Sequence, residues 1–272
     1  MWEVKGETNR IYLLGPVHLL RQSDYPIPTV IYSVYDQAET LIMELDMDDM
    51  DAIQLQSLIF ELGMNGDGRT LEDAMGQASF AQASTLAEEL GIPLPMMARS
   101  KPWYAAMTAE ILLLTRVGFD PSHGVESHFM ARAVADGKEI RGLETERQQL
   151  EMLDNLSLDA QREMLLQVLT EGASLEDVLD NMINAWRHGD TAYMKNTLLG
   201  DMQGHRELYE TIVVDRNRDW VLQLQPLLDD ADDYLVIVGA LHLVGSDGVP
   251  QLLKVRGLDV QQMNESANDQ GR

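Results

Sequence analysis

Short apolar runs open and close this chain, and amphipathic stretches of helical period fill the space between them. Trp2–Lys5 and Ile11–Leu14 read as strands joined by a polar turn, Gly6-Glu7-Thr8-Asn9, which predicts a hairpin. Thr40–Glu44 is a third strand and ends in a carboxylate. Residues 51–62 carry Leu55, Leu58, Ile59 and Leu62 at i, i+3, i+4, i+7 spacing, the apolar face of a helix. A helix over about 79–90 stops at Gly91, with Pro93 close behind. Pro102 opens a helix that runs to Val117 and stops at Gly118. Gly124–Asp136 is a shorter helix, and Glu139–Leu143 a strand followed at once by Glu144. From there to about residue 225 the period is helical, with Ser174 and Asp177 as an N-cap and its acidic N3 partner. Tyr234–Val238 is a buried strand, Leu258–Gln262 a last one, and residues 264–272 a polar, frayed tail.

Strands at both ends with helices between them predict an α/β (α+β) fold. A central mixed sheet is built from both chain ends and flanked by helices, with a helical insertion at about 145–225 of a single domain over 1–263. One phrase occurs twice. Residues 11–20 read IYLLGPVHLL and residues 235–244 read LVIVGALHLV: an apolar strand, Gly, two residues, His, Leu. A strand that ends in Gly and is followed by His puts an imidazole at the carboxyl edge of a sheet, where open α/β sheets bind ligands. Gly15 and Gly239 would let the backbone turn there. His18 and His242 are therefore expected in one cleft.

Composition narrows the chemistry. The 272 residues carry 45 acids and 20 Lys or Arg, a formal net charge of −25. Such a surface repels phosphate backbones, so no nucleic-acid partner is expected. Without cysteine, disulfides, thiolate metal sites and cysteine nucleophiles are excluded. No stretch approaches the ~18 apolar residues of a membrane span. The chain enters its first strand almost at once, which suits a mature exported domain whose leader has been removed; otherwise the reading is cytoplasmic. There is no Gly-rich phosphate loop, no G-x-S-x-G elbow and no H-E-x-x-H.

Neutral imidazoles serve as metal ligands and general bases. Glu44, closing the strand LIME, is placed to complete a two-His, one-carboxylate set or to act on a water; it could equally cap the next helix. Glu144 stands in the same position after EIRGL, and the same alternative applies. Leu208, Ile212, Arg216, Trp220 and Leu224 recur every four residues, so Arg216 points inward with the apolar side chains. A buried guanidinium must be paired or used, and a strand-end carboxylate is the expected partner. Asn217 lies alongside. Composition alone makes Lys101-Pro102-Trp103 and Glu126 structural, and His123, His128, His188 and His205 surface or packing residues.

Seven fragments in order resemble the TraB/GumN family, closest to its bacterial GumN-like branch. They are GPVHLL, LIMELD, SKPWYAAM, GFDPSHGVESHFMARA, GKEIRGLET, DRNRDW and VGALHLVGSDGV, spread over nearly the whole chain. The family includes the animal Tiki proteins and the enterococcal pheromone shutdown protein. The resemblance implies a fold related to the erythromycin-esterase and ChaN-like proteins. It also implies a metal-dependent, peptidase-like hydrolase using manganese, cobalt or zinc. The family's two G-x-x-H motifs map onto Gly15–His18 and Gly239–His242, and its early acid onto Glu44. Its E-R-N triplet maps onto Asp215, Arg216 and Asn217, with Asp in place of the common Glu, and its G-[VL]-[DE] acid onto Glu126. On this reading His18, Glu44, His242 and Glu126 hold the metal, while Glu44, Glu144, Arg216 and Asn217 act on a peptide or small-molecule substrate. The alternatives are a metal-free esterase-type hydrolase, with His18 as base, and a non-catalytic peptide- or haem-binding protein.

Overall fold

The structure is a computed structural model, and it describes residues 1–17, 20–46, 48–49, 51–200, 202 and 204–263. Of the described residues 62% are helical, arranged around one six-stranded mixed sheet, an α/β protein. Its strands are β1 (Trp2–Lys5), β2 (Arg10–Leu14), β3 (Thr40–Leu45), β4 (Glu139–Glu144), β5 (Tyr234–Ile237) and β6 (Asp259–Gln262). Their order across the sheet is β4-β3-β5-β2-β1-β6. β4, β3, β5 and β2 are mutually parallel, so their carboxyl ends share one edge; β1 runs antiparallel to both β2 and β6. β5 comes from near the end of the chain, yet it lies between β2 and β3 from the beginning. Leu14, Ile237 and Met43 stand in register across those three strands.

β5 and the last four residues of β2 are buried throughout, as expected where parallel strands are covered on both faces. Alternate side chains serve the two faces. Ile11, Leu13, Ile42 and Val236 join Trp220 and Leu224 in one apolar cluster. Tyr12, Leu14, Leu41, Met43, Leu235 and Ile237, equally buried, occupy the alternate positions. The helix Val125–Asp136 ends at Gly137, whose φ of 69° is the left-handed cap that glycine favours.

Residues cluster into two compact units. One comprises Met1–Asp49, Pro121–Thr145 and Asn181–Arg272, and contains the sheet. The other comprises Met50–Asp120 and Glu146–Asp180 and is helical. The core of the second unit packs small residues of the helix Pro102–Arg116 (Ala105, Ala106, Ala109) with Leu165 and Leu169 of the helix Leu158–Glu171. In the same unit Asp154 accepts from Lys101 Nζ at 2.5 Å and from Trp103 Nε1 at 3.1 Å.

Three local expectations change. The helix Ala52–Gly63 forms, but its stripe of Leu55, Leu58, Ile59 and Leu62 is only partly covered; Gly63 alone is buried. Ser174 does not cap a helix. Its hydroxyl donates to the Glu171 carbonyl within a 3₁₀ turn that leads into the helix Leu175–Arg187. Gly15 is not used for left-handed backbone freedom; it permits close approach. A Cβ there would lie 3.0 Å from Ala240 Cα and 2.9 Å from Leu243 Cδ1. The two copies of the repeated phrase thus touch backbone to backbone. Gly15→Ala should destabilise the chain by about 1–3 kcal/mol through overpacking, read as a lower urea midpoint at unchanged slope.

Candidate functional site

Glu44 follows Ile42 by two residues on β3, so it continues the face that packs under Trp220. Glu144 ends the neighbouring β4. Above them the chain forms a π-helical turn, Glu210–Asp215, and then the helix Arg216–Leu224. Such turns recur at functional sites. Arg216 opens the helix, and its side chain is only 11% exposed. Its Nη2 donates to Glu44 Oε2 at 2.6 Å and to Glu144 Oε2 at 2.9 Å, and its Nε to Glu144 Oε1 at 2.9 Å. Its Nη1 meets His242 Nε2 at 3.1 Å. Burial works against the guanidinium's charge, but Glu144 and Glu44 outweigh it and raise its pKa further above its already high value. Glu44 Oε1 also accepts the backbone N–H of Gly239 at 2.8 Å, which ties the end of β3 to the turn after β5.

Trp220, one helical turn beyond Arg216, joins these groups. It is fully buried. Its ring lies 4.4 Å from the His242 ring and 4.7 Å from the Arg216 Cζ, and its Nε1 donates to Glu144 Oε1 at 2.9 Å. In the sequence Trp220 reads as apolar filling. The signal was its i+4 spacing from Arg216, which places both on one helix face.

Asn217 sets the state of the imidazole. Its Nδ2 donates to two backbone carbonyls, Asp247 at 2.8 Å and His242 at 3.3 Å, so its Oδ1 is the acceptor. His242 Nδ1, 2.7 Å from that oxygen, therefore carries the proton. A guanidinium has no acceptor atom, so the Nε2 facing Arg216 presents its lone pair. The hydrogen-bond network thus assigns a neutral Nδ1–H tautomer. Asn217 is fully buried and supports the imidazole through Nδ1, on the ring edge away from Arg216.

The other expected residues lie as follows. His18 is outside the described residues. Glu126 is in the first turn of the helix Val125–Asp136, where its charge acts on Tyr25. That phenol is pushed up to about 12, first by burial and then by Tyr32 and Glu126. Asp215 is 71% exposed and lies 3.9 Å from Arg218. His128 packs among Tyr25, Tyr32 and Phe129.

The donor set can be tested against a divalent ion. His242 has the Nδ1–H of a metal-ligating imidazole held by an oxygen, with its Nε2 turned to Arg216 Nη1 at 3.1 Å. Glu44 Oε1 is 4.0 Å from that Nε2. These two donors fit one ion in kind. Among the described residues no group of three His, Cys, Asp or Glu side chains gathers to hold one. Arg216 supplies positive charge at the same place.

A mixed sheet completed by both chain ends, with acids and an imidazole at one edge, is accompanied by a family match over residues 1–262, and the chain belongs to the TraB/PrgY/gumN family. It is similar to the uncharacterized protein YbaP of Escherichia coli (strain K12), at 24% identity over 243 residues, covering 89% of this chain and 87% of YbaP. It is also similar to an uncharacterized protein of Treponema pallidum (strain Nichols), at 21% identity over 271 residues, covering 94% of this chain and 80% of that one. No solved structure matches the chain. Among the described residues, no helix is long and apolar enough to cross a membrane.

Asn217→Ala would deprive the Nδ1–H of His242 and the carbonyl of Asp247 of their Asn217 partner. A loss of about 1–3 kcal/mol for each buried group left unsatisfied is expected in urea unfolding. Imidazole ¹⁵N shifts should then show His242 losing its single tautomer. Nearby, Tyr209 donates to Asp247 at 2.9 Å, and burial, then this bond and the Asp247 charge, push its phenol up to about 12. Above pH 10 the unfolded chain loses this proton while the folded chain keeps it. Stability is thus complete below pH 10 and declines as pH rises toward about 12. Tyr209→Phe should flatten that alkaline decline in urea midpoints.

Proposed function

We propose that the chain is a hydrolase acting on a carbonyl-centred bond, peptidase-like as the resemblance to Tiki proteins implies, with its chemistry at Glu44, Glu144, Arg216 and His242. One observation carries this reading. A nearly buried guanidinium, held by two strand-end carboxylates, faces an imidazole of fixed tautomer. Of the five guanidinium N–H groups, the bonds to Glu44, Glu144 and His242 account for four; the second hydrogen of Nη1 has no partner among the described residues. That N–H, on a side chain only 11% exposed, is suited to a carbonyl oxygen that becomes an oxyanion.

In this reading Arg216 Nη1 turns from His242 Nε2 to the substrate carbonyl oxygen, and the Nε2 lone pair so released takes the proton of the attacking water as its oxygen bonds to the carbonyl carbon. Asn217 Oδ1 steadies the imidazolium through Nδ1–H, and Arg216 takes the negative oxygen. When the tetrahedral centre collapses, the carbon–leaving-group bond breaks and the same proton passes from His242 to the departing amine or alcohol. Glu44 and Glu144 orient the guanidinium. In a metal-loaded form a divalent ion (manganese, cobalt or zinc) would be held by His18, Glu44, His242 and Glu126 and would polarise the carbonyl and acidify its water; His242 would then be a ligand, with Glu144 in its place as the base. The His242 tautomer and its distance to Glu44 support that extension.

The test is cleavage of a peptide library with manganese, and with chelator, beside metal analysis of protein purified without chelator. Arg216→Lys keeps the charge but loses the planar fork, and should lower the rate of cleavage by about 100-fold with the fold intact by circular dichroism. His18→Ala should abolish metal uptake; normal metal content in that variant would remove the ion from the reading. Absence of cleavage in every condition overturns the hydrolase itself.

A further inference from the structure

Leu14 alternates along β2 with Leu13, which packs in the cluster of Trp220, and so faces the other side of the sheet. There it lines a cavity of about 320 Å³, at the lower end of the ~300–1,000 Å³ typical of small-ligand sites. Val30, Ile31, Trp186 and Met263 extend its apolar wall, and all lie in the unit that contains the sheet. Three bonds fix that wall. The Leu14 carbonyl accepts from Val238 N–H at 3.1 Å, Met263 N–H donates to the Met1 carbonyl at 3.0 Å, and Gln262 Nε2 donates to the Gly189 carbonyl at 2.8 Å. A cavity held in this way costs a ligand little ordering of the protein.

The polar part of the wall is a donor. Arg187 lines the cavity, and its Nη1 and Nη2 donate to the carbonyls of Asp24 and Pro26. Those bonds use two of the five guanidinium N–H groups. Among the described residues no carboxylate pairs with Arg187, although the chain carries 45 acids. The backbone acceptors beside it are already engaged. The carbonyls of Asn184, Ala185 and Trp186 accept from the N–H groups of His188, Asp190 and Gly189, and His188 Nδ1 also donates to Asn184 at 2.8 Å.

We propose that this cavity binds a small monocarboxylate with an apolar body, its carboxylate on Arg187 and its body against Leu14, Ile31 and Trp186. The guanidinium fork matches the two oxygens of a carboxylate. One cation balances one negative charge, whereas a doubly charged phosphate would bring an unmatched charge to a chain of net charge −25. A free acid and the C-terminal residue of a peptide share this chemistry. The site lies across the sheet from Trp220 and is independent of the hydrolase reading.

The experiment titrates the full chain with 4-phenylbutyrate by calorimetry, beside 4-phenylbutanol and acetate. The acid should bind about tenfold more tightly than either control, the difference a charge-assisted hydrogen bond makes. Arg187→Gln should remove that advantage and leave the alcohol unaffected, a split that misfolding would not produce. Val30→Trp, which fills the cavity, should abolish binding of both. In protein carrying ¹³C-labelled methionine methyls, the Met263 resonance, assigned with Met263→Leu, should move with the acid. A Gly-Gly-Gly-Phe peptide with a free carboxyl end, against its amide, names the source: both a peptide tighter than 4-phenylbutyrate and a weaker one support the site, the first as a chain-end site and the second as a free-acid site. Equal binding of acid and alcohol overturns the proposal, and so does unchanged affinity for the acid in Arg187→Gln. A shift confined to Met43, beside Glu44, places the acid on the Arg216 cluster and overturns it as well.

Discussion

A guanidinium removed from water between two carboxylates is the constraint on which this molecule's organised edge depends. Charges in such a place are tolerated only when each is paired and hydrogen-bonded, and removing one partner of a buried pair typically costs about 3–5 kcal/mol. Arg216 meets that demand by drawing on three strands at once: Glu44 at the end of β3, Glu144 at the end of β4, and His242 beyond β5. The parallel order β4-β3-β5 is what brings those three ends together. The fold is thus what allows the charge to be buried, and the ion pairs in turn hold the strand ends in place.

Both tryptophans at the fully buried limit follow one rule. Trp220 donates its indole N–H to Glu144, which also binds Arg216; Trp103 donates to Asp154, which also binds Lys101. In each unit a poorly hydrated carboxylate is satisfied by one cation and one indole. The indole is a directional donor that adds no charge and fills the space a water would take. The fragments KPW and DRNRDW each bring a cation and an indole together by helix geometry, the first at a helix start and the second across one turn.

Much of the sheet was legible because apolar runs flanked by turn residues leave few alternatives. The spacing of four that put Arg216 in line with Leu208, Trp220 and Leu224 carried the information that its side chain turns inward. Other features were hidden for physical reasons. Local pattern says nothing about β5 entering between β2 and β3, because strand order is a matter of long-range pairing. A π-helical turn has no period of its own in so short a segment. Gly15 reads as a source of conformational freedom, whereas what matters is the absence of a side chain where Ala240 approaches. Asn217 reads as polar and available; only the carbonyls of His242 and Asp247, 25 and 30 residues away, show that it faces inward and orients an imidazole.

The pairing of Leu14 with Ile237, and the bond from Gly239 to Glu44 across 195 residues, has a kinetic side. Joining such distant points costs about 2 kcal/mol more in chain entropy than closing a loop one tenth as long. Topologies dominated by non-local contacts fold slowly, because that entropy is spent before the contacts return it. β5 also needs both neighbours: until it arrives, β2 and β3 expose unpaired edges. The sheet therefore closes, and the strand-end acids meet the imidazole, only once the segment carrying β5 and His242 has joined β2 and β3. The organised edge is therefore assembled from segments that lie far apart along the chain, and none of them carries it alone.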